Sequence, residues 1–214
     1  MTADIQKLLL DRVEFRTIKI DVMEGEFNRS DIFPQLDFDS ADLKYLVRSD
    51  LYFPEEELDD PRIFMLSYGV KVDSADQTTM PPYELEVEAV AYFRYVAGEE
   101  FSGEHRFRAV RFSGYQILYG AIREMVSNLT ARSSHGTWNL PARNFNGVAE
   151  ARAKEDEAER LARVEERDAR LKKQTRKLQV HAAEIGVEAK EKPKRRATKK
   201  SDTESKTRNS STHQ

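Results

Sequence analysis

The chain has 214 residues, of which 39 % are hydrophobic and 34 % charged, and its mean hydropathy is −0.72. That is too polar for one uniform globule, so a folded part diluted by a polar part is expected. Cysteine is absent and the four histidines stand far apart, which excludes a disulfide framework, a thiolate zinc site and a cysteine nucleophile, and leaves no expectation of a metal or other cofactor. No apolar run approaches the roughly 18 residues that cross a bilayer. Met1 to Leu10 carries Asp4 and lacks a basic start, unlike a signal peptide. A cytoplasmic protein without membrane insertion is expected.

The net charge of −3 hides an asymmetry. Residues 187–214 hold nine Lys/Arg and four Asp/Glu, a balance of about +5, so the remainder carries about −8. The basic end has no aromatic and almost no aliphatic side chain. Too little surface is available there to offset ordering entropy, and a disordered tail is expected. Its role is solubility, or a weak, salt-sensitive contact with nucleic-acid phosphates or another anionic partner.

In chain order, Ile5, Leu8, Leu9 and Leu10 suggest a helical turn or two. Val13 to Met23 reads as a strand whose alternation changes phase. Val13 and Phe15 share one parity, and Ile18, Ile20 and Val22 the other, which requires a bulge or a change of neighbour. Asn28 to Pro61 reads as a crossover loop whose large apolar residues include Phe33, Leu36, Phe38, Leu43, Tyr45, Leu46, Leu51, Tyr52 and Phe53, with a short strand near 42–47. Those residues either cover the core or form an apolar contact surface.

Arg62 to Asp73 reads as a strand with Phe64, Leu66, Tyr68, Val70 and Val72 on one face. Tyr83 to Tyr95 alternates cleanly, apolar on one side and Glu84, Glu86 and Glu88 on the other, as an antiparallel strand with one wet face does. A long hairpin joins the two. Ser113 followed by Gln116 fits a capping box, so a helix is expected from there. Leu118, Ile122, Met125 and Leu129 form its seam, widened by Ile117, Tyr119, Ala121 and Val126. That arc is broader than one sheet face needs and points to a second partner such as another subunit.

Ala149 to about Gly186 is rich in Ala, Glu, Arg, Lys and Leu, with Asn146 as a candidate cap. Val164, Leu171 and Leu178 recur every seven residues, but the companion positions are Leu161, Asp168 and Thr175, a weak heptad. A solvated helix packed loosely on the body or weakly paired is expected. No nucleotide, zinc-protease or nucleophile-elbow motif is present. Glu84, Glu86 and Glu88 read as a solvated strand face, Arg123–Glu124 as a polar pair, and Trp138 as a cap on the core or a partner anchor. These grounds point away from an enzyme.

The order of elements resembles the SecB family of protein-export chaperones. Ile117-Leu118-Tyr119, the run Arg123-Glu124-Met125-Val126-Ser127-Asn128-Leu129 with Arg132, Gly136-Thr137-Trp138, and Leu140-Pro141 to Asn144-Phe145 are similar to that family's segments. The resemblance covers roughly residues 12 to 147. It implies an α+β fold, a four-stranded antiparallel sheet with helices on one face. A chaperone domain over 1–147 would then be followed by a charged helix over 148–186 and the tail over 187–214.

It also implies an ATP-independent holdase for unfolded client polypeptides, including preproteins for export. The expected grooves hold Phe33, Phe38, Tyr52, Phe53, Trp138 and Leu140. A homotetramer, a dimer of dimers, would form through Leu118, Ile122, Met125 and Leu129. Asp21, Glu84 and Glu86 match the acidic face that meets the SecA motor in that family. Gly120 stands where the family often has proline, and the long helix and basic tail are departures that weaken the SecA expectation. Divergent SecB-like proteins also serve as chaperones of antitoxins, and a scaffold acting on nucleic acid through the helix and tail is the alternative from another class.

Overall fold

The computed structural model describes residues 8–25, 43–78, 80–96 and 102–184. Phe33, Phe38 and the basic tail lie outside them. Strands β1 (Leu8–Val22), β2 (Leu46–Tyr52), β3 (Ile63–Val72) and β4 (Tyr83–Tyr95) are followed by helices α1 (Glu104–Thr130) and α2 (Asn146–Glu184). The strands form one antiparallel sheet in the order β1-β4-β3-β2. The fold is therefore α+β, as expected. The chain divides into two compact units, Met1–Arg170 and Leu171–Gln214.

β4 has the bounds read from its alternation, and β3 differs by one residue at each end. Their apolar rows, Phe64 to Val72 and Tyr83 to Tyr95, are buried beneath α1. Each fully buried Phe, Leu or Val contributes about 1.5–3 kcal/mol. β1 resolves the phase change. Its register on β4 shifts once between Leu10 and Arg12 and again between Phe15 and Thr17. Each shift absorbs one residue, so Leu8, Leu10, Val13, Phe15, Ile18, Ile20 and Val22 all stand opposite core-facing residues of β4. Leu8 to Leu10 are thus strand, not a helical turn. Pairing with Tyr95 to Phe93 supplies the backbone hydrogen bonds that a short helix would have made internally. The short strand near 42–47 is displaced to β2, where Leu46 to Tyr52 ladder against Lys71 to Met65.

α1 begins at Glu104, nine residues before the expected capping box, which lies inside the helix. Gly103 enters it with φ 56°, a conformation costly for any residue with a Cβ. The early turns bury Arg106, Phe107, Val110 and Arg111. Gly114 allows the close crossing: a Cβ there would stand 2.3 Å from Leu66 Cδ2.

Two buried arginines knit the layers. Arg106 hydrogen-bonds Asp60 and the Pro61 carbonyl, and its guanidinium lies 4.8 Å from the Tyr95 ring. That hydrogen bond, with help from Arg62, holds the Asp60 carboxyl below its ordinary range against the opposing effect of partial burial. A depressed folded-state value means stability that is full above the ordinary aspartate value, about 3.9, and is lost as pH falls below it. Asp60→Asn is expected to flatten the acid limb of the stability–pH curve below about pH 4, read by urea unfolding at successive pH values. An unchanged acid limb would refute this.

Arg111 donates Nε and Nη2 to Asp156 at 2.8 and 2.6 Å, and Nη1 to Tyr115 Oη at 2.9 Å and Ser49 Oγ at 3.3 Å. It joins α1, β2 and α2 in one contact. α2 is not loosely packed over this stretch. Ala149 and Ala153 are buried, Arg160 donates to the Leu58 carbonyl at 2.9 Å, Arg163 lies 5.2 Å from the Phe53 ring, and Arg167 pairs with Asp59.

Candidate functional site

The outer face of the sheet, turned away from α1, carries the surface features of interest. The registers place its side chains in rows across all four strands. At one end Arg12, Tyr92, Met65 and Tyr52 form a row, with Ile63 beside it. Next come Glu14, Val90, Ser67 and Asp50, then Thr17, Glu88, Gly69 and Arg48. The far end holds Lys19, Glu86, Lys71 and Leu46, with Asp21 beside Glu84.

The face is therefore polarised. Its first row is an aromatic and apolar band: Tyr52 is 55 % exposed and Ile63 46 % exposed, while Met65 and Tyr92 are half-buried. Arginines brace the band from β1. The Arg12 guanidinium lies 4.2 Å from the Tyr92 ring, and Arg16 Nη2 is 3.5 Å from Met65 Sδ. At Gly69 the missing side chain opens a groove of about 310 Å³ lined by Arg48, Ser67, Lys71, Glu86 and Glu88 among others. The band thus runs into a depression rather than a flat wall.

Asp21, Glu84 and Glu86 do come together at the far end of this face. Asp21 stands opposite Glu84, and Lys19 opposite Glu86. The acidity is locally answered: Lys19 pairs with Asp21 and Lys71 with Asp73, each at 2.9 Å, and Glu84 accepts hydrogen bonds from the Ser74 amide and hydroxyl. The hydrogen bond to Asp73 is the main reason that the Lys71 ammonium is held above its ordinary value. What results is a mixed-charge surface rather than an acidic patch.

The expected groove residues separate. Tyr52 is on the outer band. Phe53 is a core residue, 6.3 Å from Phe64 and 5.5 Å from Phe107 between ring centroids. Trp138 and Leu140 are also core residues and present no surface. Their loop is pinned: the Trp138 amide donates to Thr130 Oγ1 at 2.8 Å, Tyr83 Oη to the Gly136 carbonyl at 2.6 Å, and Tyr119 Oη to the Pro141 carbonyl at 2.6 Å. Burial pushes the Tyr119 hydroxyl up to about 12, so it remains a donor at neutral pH. Trp138 stacks on Tyr83 at 5.9 Å. These contacts correct the groove expectation for Phe53, Trp138 and Leu140.

The oligomer seam divides in the same way. Leu118 and Ile122 are fully buried within the chain's own core, so they are not free to meet a second subunit. Met125 is half-buried and Leu129 is 45 % exposed. On the same side of the sheet Leu10, Ile18 and Val22 of β1 are exposed. His135 Nε2 lies 2.7 Å from the Met23 carbonyl oxygen, which places the end of α1 and the end of β1 together. Sequence reasoning missed Ile63, Met65 and Tyr92 as surface residues. A partial signal was present: they are apolar residues on the wet parity of their strands, but so is Val90, which is fully buried.

No protein-family model matches the sequence, and no curated protein matches it. Among solved structures, the chain is similar to the Mycobacterium tuberculosis Rv1957 SecB-like chaperone in complex with a ChAD peptide from the Rv1956 HigA1 antitoxin. That likeness has 17 % identity and a TM-score of 0.42, and it covers 64 % of this chain and 91 % of the other. A protein of unknown function from Streptococcus agalactiae is similar at 9 % identity and a TM-score of 0.35, over 63 % of this chain and 97 % of the other. Among the described residues no group of three His, Asp or Glu is placed to hold a metal ion, and no helix is long and apolar enough to cross a membrane.

Proposed function

We infer that this protein is a holdase chaperone that binds unfolded polypeptide segments through the outer apolar band, without nucleotide. The band formed by exposed Tyr52 and Ile63 with half-buried Met65 and Tyr92 carries this reading. Contiguous exposed apolar surface on a folded chain marks a contact site, and aromatic and methionine side chains adapt to varied partners. Two rows away the groove at Gly69 offers backbone-level space beside charged groups.

The chain also self-associates through Met125 and Leu129 with the exposed β1 residues Ile18 and Val22, giving the homotetramer implied by the SecB resemblance. An export-bound preprotein and a dedicated antitoxin are the two client types. They differ in breadth, since a general holdase acts on several unrelated unfolded chains and a dedicated one on a single chain.

The test is aggregation of chemically unfolded clients, followed by light scattering. The parent protein is expected to suppress scattering near stoichiometric amounts, and Tyr52→Asp with Ile63→Asp to lose at least about fivefold in potency. Charging the centre of such a contact costs on the order of 1–3 kcal/mol. A parent that leaves every client's aggregation unchanged overturns the reading. Separately, Met125→Glu with Leu129→Glu is expected to lower the assembly mass in solution by at least half. A monomeric parent would refute self-association.

A further inference from the structure

α2 changes character along its length. From Asn146 to Asp168 its cations are matched: Arg152 pairs with Glu155, Lys154 with Glu150, Arg160 with Glu157, Arg163 with Glu55 and Arg167 with Asp59. From Leu171 to Gln179 the helix carries Lys172, Lys173, Arg176 and Lys177 and no acidic residue. All nine residues of that stretch are exposed. Among the described residues these four cations form no ion pair.

Their placement is as informative as their number. At about 100° per residue, the four fall within an arc of about 140°, in two i, i+4 pairs, Lys172 with Arg176 and Lys173 with Lys177. Leu171 and Leu178, 53 % and 69 % exposed, lie together on the opposite side. A membrane-surface helix flanks a broad apolar face with cations, and an acidic coiled-coil partner needs cations beside its leucine seam. Here the basic face is separate from the leucines, so a partner that meets it meets charge alone. A regular polyanion fits that demand, because its charges recur along a line and need no apolar contact.

We propose that the Lys172, Lys173, Arg176 and Lys177 face of α2 binds the phosphate backbone of nucleic acid without sequence preference. Fluorescence anisotropy of a labelled 20-base-pair duplex of mixed sequence tests it with the full chain over about 50–200 mM salt. The parent is expected to bind with a steep salt dependence. Replacing all four residues by Gln, a good helix former, is expected to weaken binding at least tenfold and reduce the log–log salt slope by up to about 3.6. Exchanging Lys for Arg and Arg for Lys at the same four positions is expected to keep both values. An all-Gln variant with parental affinity and slope overturns the proposal. So does a parent that binds vesicles containing phosphatidylserine but not the duplex.

Discussion

Replacing Asp156 by Ala is expected to destabilise the protein by about 3–5 kcal/mol, because it strands a guanidinium that has no route to water. The Arg111 and Asp156 side chains are 4 % and 11 % exposed. Desolvation is the largest single influence and works against the charged guanidinium, yet the hydrogen bonds and charge attraction of Asp156, with a smaller contribution from Tyr115, together outweigh it and hold Arg111 above its ordinary value. Without the carboxylate only Tyr115 and Ser49 remain as partners, and neither carries charge. In urea, with an m-value of about 2 kcal/mol per molar, the midpoint is expected to fall by about 2 M. A fall below about 0.5 M would mean that the guanidinium finds water when the carboxylate goes. Arg111→Met combined with Asp156→Leu is expected to recover most of the loss, since an apolar pair removes both charges together. Tyr115 and Ser49 hydrogen-bond each other at 2.9 Å, so that repair leaves them satisfied.

The second large effect is a contrast within α1. Gly114→Ala is expected to cost about 1–3 kcal/mol by overpacking. Its Cβ would stand 2.3 Å from Leu66 Cδ2 and 3.2 Å from Phe93 Cε2, and both neighbours are fully buried. Gly120→Ala, the same chemical change six residues on, meets nothing within 4 Å. It is expected to stabilise by about 0.5–1 kcal/mol through helix propensity. Thermal unfolding of the two variants checks the opposite signs. Equal effects would mean that propensity, not the close crossing of α1 on β3 and β4, governs both sites.

The strands with two paired neighbours were legible because every second side chain is committed to the core. β4 was read to the residue on that basis, with β1 and β3 on either side of it. The first turns of α1 were missed because Arg106 and Arg111 look like surface residues in a linear reading. Their counter-ions, Asp60 and Asp156, lie 46 and 45 residues away. The buried loop residues Phe53, Trp138 and Leu140 could not be told from groove residues, since composition does not record which side of a loop meets the helix. The docking of α2 did leave a trace. Arg160, Arg163 and Arg167 follow an i, i+3, i+7 spacing, one helical face, which the search for an apolar heptad passed over.

The two register shifts in β1 bear on how readily a chain with exposed apolar surface could polymerise through its own backbone. β1 is an edge strand of 15 residues. A flat edge of that length is a template on which another strand can add. The shifts interrupt the ladder at Asp11 and Arg16 and increase its local twist. Asp11 is held there by a bidentate bond to Arg94, with oxygens 2.7–2.9 Å from the guanidinium nitrogens. No long stretch of straight edge is left for a fibre to copy. The extra residues that keep seven apolar side chains facing one way also leave the strand's outer border too irregular to seed cross-β stacking.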